Sequence, residues 1–426
     1  MNLLRNQFIY QVFVRNYSQE GTLNALTKDL ARIKALGTDI LYVLPIHPIG
    51  IQSRKGTYGS PYAIKDYQGI SSDLGTLDDF KQLVHETHRH GMKLMMDVVF
   101  HHTAPDHPWV KEHPEFYHWK DGHLTNKIGD WSDIADFEYE NNPLLIELLT
   151  QTLLYWLDLG VDGFRFDVAS MLPHEFYKAA FPKIKEKYPE TLYLAESVDS
   201  GFARFLRYNG YTCLSDSELY QYFQIEYDYD NQEKFIGYLK GENNLEALVE
   251  KYRTQEIIYP SNYVKARNVE NHDNPRIRFH TQSYDKTLNW LAYVFFAKGI
   301  AFLHFGVETG TDHLSHLFEK DPIDWTKLDP KLVLWITSLS KMKKDKIFTQ
   351  DDHYKIISHK QDVLHFEYEN EDEIRVGLFN VGSETGVLKV DLPSGVYTHL
   401  ITRDVVEIRE GVIILSLEPI IFSILK

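Results

Sequence analysis

A short apolar or β-branched run, a turn and an amphipathic segment follow one another repeatedly from residue 8 to residue 343. That alternation narrows the fold more than any other feature of the chain. Strands are expected at Phe8–Val14, Ile40–Leu44, Lys93–Val99, Val161–Asp167, Leu192–Glu196, Tyr211–Leu214, Tyr263–Val269 and Ile300–Phe305. Helices are expected at Leu23–Leu36, Leu77–His90 behind a Thr76 cap, Leu144–Leu159, Pro173–Tyr188, Tyr284–Ala297 and Pro330–Lys343. Eight parallel strands joined by helical crossovers predict a (β/α)8 TIM barrel. The rival, a doubly wound open sheet, needs a glycine-rich first turn for phosphate, which this chain lacks.

Two stretches break the alternation. Between Phe100 and Asn142 the chain is rich in His, Asp, Trp, Pro and Gly, and a loop of that length in a compact domain is usually functional. It reads as a short lobe inserted after the third strand and set over the barrel mouth. After Lys346 the period changes to short alternating strands separated by Gly, Asn, Asp and Glu, which predicts a C-terminal all-β sandwich. The expected organisation is a barrel over 1–100 and 143–345, a lobe over 101–142, and a sandwich over 346–426.

Composition removes several function classes. With 61 acidic against 45 basic residues the formal charge is −16, which repels phosphate backbones and argues against a nucleic-acid partner. Cys213 is the single cysteine, so no intramolecular disulfide forms, and a reducing, cytoplasmic setting is expected. The N-terminal residues lack the signature of a secretory signal. The longest apolar run, Trp290–Val307, is broken by Lys298, Gly299 and His304, so no membrane association is expected. Aromatic residues reach 14%; most serve packing, and some fit a cleft that stacks against the apolar faces of sugar rings.

Catalytic groups of such barrels stand at the C-terminal ends of strands. The third strand brings Asp97 and His102 there, the fourth Arg165 and Asp167, the fifth Glu196, and the seventh His272 and Asp273. A lone strand-end Asp is usually a cap; convergence of four strand ends points to a site. Arg165 and Asp167, two apart on a strand, face the same side, so the guanidinium is expected to keep Asp167 ionised. Glu196 ends an apolar strand, where desolvation is expected to hold its proton. One ionised and one protonated carboxyl is the arrangement of a retaining glycosidase. Asp273 would bind hydroxyls, with His102 and His272 as donors, and Asp97 and Arg165 are expected among the substrate-binding residues.

At these residues the chain resembles the α-amylase family, glycoside hydrolase family 13, over essentially its whole length. Asp97–His102 (DVVFHH), Gly163–Asp167 (GFRFD), Leu194–Ser197 (LAES) and Val269–Asp273 (VENHD) are similar to that family's four conserved regions, in its order. The resemblance implies Asp167 as nucleophile, Glu196 as acid/base and Asp273 as transition-state stabiliser. Tyr58–Tyr62 with Asp66-Tyr67 (YGSPY…DY) is similar to a segment whose second tyrosine, here Tyr62, stacks under the sugar being cleaved. Asn274-Pro275-Arg276 is similar to a run in oligosaccharide-acting members, which implies that Arg276 lines the outer cleft.

Departures from the pattern also carry expectations. The family's calcium-ligating Asn is His101 here; calcium prefers oxygen, so no cofactor or metal is expected. Asp133 or Asp136 in the lobe could still hold a metal ion such as calcium, but both are expected as solvated loop acids. Starch-acting members follow the second region with Lys-His, whereas Val168-Ala-Ser-Met171 stands here, which leans toward short substrates. The implied activity is retaining hydrolysis of α-1,4 bonds, with α-1,6 bonds as a second target, in maltooligosaccharides, by a monomer, with the carboxyls about 5–5.5 Å apart. Transglycosylation uses the same residues and is the alternative. A catalytically inactive, sugar- or partner-binding barrel would have lost part of the carboxylate set.

Overall fold

Seven of the eight expected strands form within two residues of their expected bounds in the computed structural model, which describes residues 1–350 and 353–426. Residues 351 and 352, inside the expected sandwich, lie outside the described residues. The barrel strands are β1 Phe8–Val12, β2 Ile40–Val43, β3 Lys93–Val98, β4 Gly163–Phe166, β5 Leu192–Ala195, β6 Ile225–Tyr227, β7 Lys265–Arg267 and β8 Ile300–His304. Each pairs parallel with its neighbours, and β8 returns to β1 to close an eight-stranded barrel. Nearly every strand residue is buried, as parallel strands covered on both faces require.

The sixth strand is a correction. Tyr211–Leu214 is not a strand: it crosses the barrel mouth as a loop, and Leu214 N–H donates to Ser170 O at 2.7 Å. The position belongs to Ile225–Tyr227, paired to Leu194–Ala195 on one side and Lys265–Ala266 on the other. Three residues with a glutamate in the middle give little apolar signal. Glu226 is tolerated because Lys265 Nζ lies 3.4 Å from its carboxylate inside the barrel wall.

The helices follow the expected order, with one divided and several added, among them Ser200–Tyr208 after β5. Leu23–Leu36 divides into Leu23–Lys28 and Leu30–Ala35 at Asp29, whose carboxylate accepts from Tyr17 Oη at 2.5 Å and Arg32 Nε at 2.8 Å. Two helices absent from the sequence reading, Gln232–Leu239 and Leu245–Ile258, lie between β6 and β7. Thr76 does cap Leu77–Arg89, in a reciprocal box with Asp79. No helix among the described residues is long and apolar enough to cross a membrane.

Between β3 and the helix Pro143–Asp158, two short antiparallel pairs tie the chain down. His102–Thr103 pairs with Ala135–Asp136, and Trp119–Lys120 with His123–Leu124. Beyond the barrel come β9 Tyr354–His359, β10 Val363–Glu369, β11 Glu373–Asn380, β12 Gly386–Lys389, β13 Gly395–Thr398, β14 Val405–Arg409, β15 Val412–Leu415 and β16 Ile420–Leu425. They form two antiparallel sheets, β9-β10-β11-β16 and β12-β15-β14-β13. Val376, Leu378, Leu388, Ile408, Ile413 and Phe422 fill the space between them. The first sheet also lies on the helix Tyr284–Phe296, where the Phe296 ring sits 5.4–5.7 Å from Phe348, Tyr368 and Phe379.

Candidate active site

The floor of the barrel mouth is organised by Arg165. Strand register sets it opposite Asp97 on β3 and Leu194 on β5. Gly163 allows β4 and β5 to approach: a Cβ there would stand 2.6 Å from the Leu192 carbonyl oxygen. Arg165 Nη1 donates to both oxygens of Asp97 at 2.8 and 2.9 Å and to Asp167 Oδ1 at 2.9 Å. Its Nη2 forms an ion pair with Glu196 Oε1 at 2.8 Å. One planar guanidinium thus serves three carboxylates. Asp97 is fully buried and also accepts from Tyr42 Oη at 2.6 Å and Tyr62 Oη at 3.1 Å. Asp97 and Arg165 lie beneath the cleft and hold its floor, whereas the sequence reading gave both a direct contact with substrate.

This sharing alters the expected charge pattern. Burial pushes the Asp167 carboxyl well above the usual carboxylate range; Arg165 pulls it down, and Glu196, Asp97 and Asp273 raise it again. Burial likewise lifts Asp97 to about 6, against the pull of Arg165. The expectation that Arg165 keeps Asp167 ionised meets opposition: burial and the neighbouring carboxylates raise the Asp167 carboxyl against the pull of the guanidinium. Glu196 Oε2 accepts from the backbone N–H of Val168 at 2.7 Å. Val168 sits in the left-handed region, at φ 37° and ψ 47°, a strained conformation for a β-branched residue and one that aims its N–H at Glu196.

A second chain of contacts fixes His272. Gln11 on β1 lies between His304 Nδ1, 2.7 Å from its Oε1, and His272 Nδ1, 3.0 Å from its Nε2. If His304 donates to the amide oxygen, the amide nitrogen must donate to His272, which leaves the His272 proton on Nε2. That nitrogen is 2.6 Å from Tyr62 Oη and 3.1 Å from Asp273 Oδ2. Tyr62 stacks on the His272 ring at 5.6 Å and 22°. Burial, reinforced by Arg165, lowers His272 to about 3, so the ring is neutral at ordinary pH. Asp273 keeps 43% of its side chain open to the cleft. Gln11, Tyr42 and His304 were missed from sequence; the one signal for Gln11 is a polar residue inside the apolar strand FIYQV.

The cleft encloses about 290 Å³ and is lined by Tyr62, His102, Trp131, Asp167, Glu196, His272 and Asp273, with Lys55, Asp133, Val168 and Phe318 among its walls. Arg276 is elsewhere. Fully buried, it pairs with Glu270 Oε1 at 2.7 Å and caps Phe305, bracing the loop after β7. Asp133 and Asp136 are not solvated: they are 5% and 0% exposed. Asp133 pairs with Lys55 at 2.9 Å, and Asp136 faces His101 at 3.4 Å. Burial lowers His101 to about 3 and His102 to about 4. Two imidazoles and one carboxylate do not fit calcium, which takes six to eight oxygens.

Comparison with known proteins identifies the family and the fold. The family model described as Alpha amylase, catalytic domain, matches residues 8–362, and the Bacterial Alpha amylase C-terminal domain matches 355–422. Over its whole length the chain is similar to the solved structure of an alpha-amylase from Lactobacillus plantarum, at 41% identity and a TM-score of 0.95, covering 100% of both chains. A maltogenic alpha-amylase from Thermotoga neapolitana shows 28% identity and a TM-score of 0.88, with 99% of each chain covered. Among curated proteins, an alpha-1,4-glucan:maltose-1-phosphate maltosyltransferase of Chlorobaculum tepidum is 36% identical over 212 residues, 44% of this chain and 32% of that protein. The Picrophilus torridus protein of the same name is 33% identical over 249 residues, 52% of this chain and 39% of that one. The chain thus spans about a third of the length of these curated relatives.

Proposed function

Because the chain belongs to the α-amylase family of enzymes, with its catalytic-domain match running from residue 8 to 362, we propose that it hydrolyses α-glucosidic bonds of short maltooligosaccharides with retention. The observation that carries this reading is the pair of carboxylates, Asp167 and Glu196, held on the two amino nitrogens of one guanidinium at the cleft floor. Asp167 attacks the anomeric carbon from below while Glu196 protonates the departing glycosidic oxygen. The covalent glucosyl intermediate is then released by water, from which Glu196 takes a proton. Asp273, half open to the cleft, faces the positive charge that develops on the sugar ring. Tyr62 offers its ring face to the sugar, and His102 and His272, which line the same cleft, donate to its hydroxyls. The single cysteine supports a cytoplasmic setting.

The names of the curated relatives favour a second reading, transfer of a maltosyl unit from a phosphorylated donor to a glucan. Cleft electrostatics weigh against a phosphorylated donor. Asp133, Asp167, Glu196 and Asp273 line the cleft, and its lysine, Lys55, is already paired to Asp133. A phosphate would meet mostly negative charge. A maltooligosaccharide series followed by NMR, for wild type and Asp167→Asn, separates the readings. Hydrolysis with α-anomers formed first, and kcat lower by about 10⁴ or more in the variant, supports ours. Chain extension from maltose-1-phosphate, with negligible release of free reducing sugar, sinks it in favour of transfer.

A further inference from the structure

Beside the cleft, His101 and His102 leave β3 together and meet Asp136, which the short pair His102–Thr103 with Ala135–Asp136 brings across from the far end of the inserted segment. All three side chains are buried. The two Nδ1 atoms are 3.3 Å apart, and His101 Nδ1 is 3.4 Å from Asp136 Oδ1. One donor atom from each residue falls within 4.8 Å of the others. In a tetrahedral zinc site with bonds of about 2.0–2.1 Å, neighbouring ligand atoms stand about 3.4 Å apart, so the two closest separations already have the length of tetrahedral edges.

A second observation points the same way. Asp136 Oδ1 is buried and has no hydrogen-bond partner among the described residues, although Asp136 Oδ2 accepts from the Lys127 backbone N–H at 2.5 Å. A buried carboxylate oxygen left unpaired is costly, and the atoms facing it are imidazole nitrogens rather than a cation. The Lys127 ammonium does not fill the role: it turns to Phe137 O at 3.3 Å and Glu138 at 3.6 Å. His101 also lines a separate cavity of about 550 Å³, bounded by His118, Tyr139, Met171 and Tyr211, which gives a route of entry that avoids the sugar cleft.

We propose that His101, His102 and Asp136 bind a divalent d-block cation of the zinc class, with a fourth coordination position left to water. Two nitrogens and one oxygen select such an ion over calcium or magnesium. The ion joins the end of β3 to the returning strand of the inserted segment. It also fixes the ring of His102, a residue that lines the cleft, so metal loading and sugar binding are linked through one side chain.

The test uses the full chain, stripped with a chelator and dialysed against buffered zinc. The expected result is one zinc per chain at about 1 μM free metal. Cobalt in its place should give the intense visible bands of a four-coordinate site, and zinc should raise the melting temperature. His101→Asn and Asp136→Asn, each checked for native circular dichroism, should weaken zinc binding about tenfold or more, and Asp167→Asn should leave it unchanged. Asp136→Asn keeps an acceptor for the Lys127 N–H, so it serves if His101→Asn does not fold. Failure of wild type to bind stoichiometrically, wild-type affinity in both variants, or calcium binding as tightly as zinc would overturn the proposal.

Discussion

Gln11 acts on the active site without entering it. Its amide, oriented by His304, determines which nitrogen of His272 carries the proton, and that proton faces Tyr62 and Asp273. Gln11→Glu reverses this: a carboxylate beside Nδ1 draws the proton to itself and leaves Nε2 an acceptor. kcat/KM should fall roughly ten- to a hundredfold and acquire a new ionisation near neutrality, with the fold unchanged. A pH profile indistinguishable from wild type would refute the assignment. His47 makes a different residue-scale prediction. Burial lowers it to about 4 as it packs on Trp156 and meets Gly69 O at 3.1 Å. The unfolded chain takes up this proton near pH 6.5 and the folded chain only near pH 4. The stability that His47 contributes is therefore full above pH 6.5 and is lost as pH falls toward 4. Between pH 7 and pH 5, wild type should lose about 2 kcal/mol more than His47→Gln, as read by urea unfolding at both pH values.

Among the elements, β4 and β5 carry the expected catalytic pair, and Gly163 sets how closely they run. Gly163→Ala puts a methyl group 2.6 Å from a backbone oxygen of β5, which cannot swing aside like a side-chain tip. The variant should lose about 1–3 kcal/mol of stability and a disproportionate share of kcat, because the shift moves Glu196 relative to Asp167. Wild-type kcat with lowered stability would show that the spacing is not transmitted to the site. This pair of strands was readable from sequence because each is an apolar run ending in a charge. β6 was not: Ile225-Glu226-Tyr227 owes its place to the buried contact with Lys265, a partner 39 positions away that no local pattern announces. Asp97, Arg165 and Arg276 show the same limit. Their residue types mark them as site residues, but only packing reveals that Asp97 and Arg165 lie beneath the cleft and that Arg276 braces the loop after β7 through Glu270. Asp133 and Asp136 read as solvated because loops usually are; burial came from the short strand pair with His102–Thr103, too brief to leave a pattern.

For the molecule as a whole, Phe296 is where barrel and C-terminal sheets share one core. Its ring packs against Phe348, Phe366, Tyr368 and Phe379, and Gly377 leaves room for it, since a Cβ there would come within 3.1 Å. Phe296→Ala should cost about 3–5 kcal/mol and separate the unfolding of the C-terminal sheets from that of the barrel. A single calorimetric transition with an unchanged midpoint would show that the contact is incidental.

The two parts of the molecule also end their sheets differently. A closed barrel has no outermost strand, so every backbone group of its ladder is spoken for. The second C-terminal sheet ends in β12 and β13, whose Val387 and Val396 are 60% and 69% exposed, with Ile414 opposite Val387 at 77%. When the protein is concentrated or stored, copies will meet first along these two margins, strand against strand. A lysine or proline at Val387 or Val396 should therefore lower light scattering from concentrated, stored protein without touching the cleft.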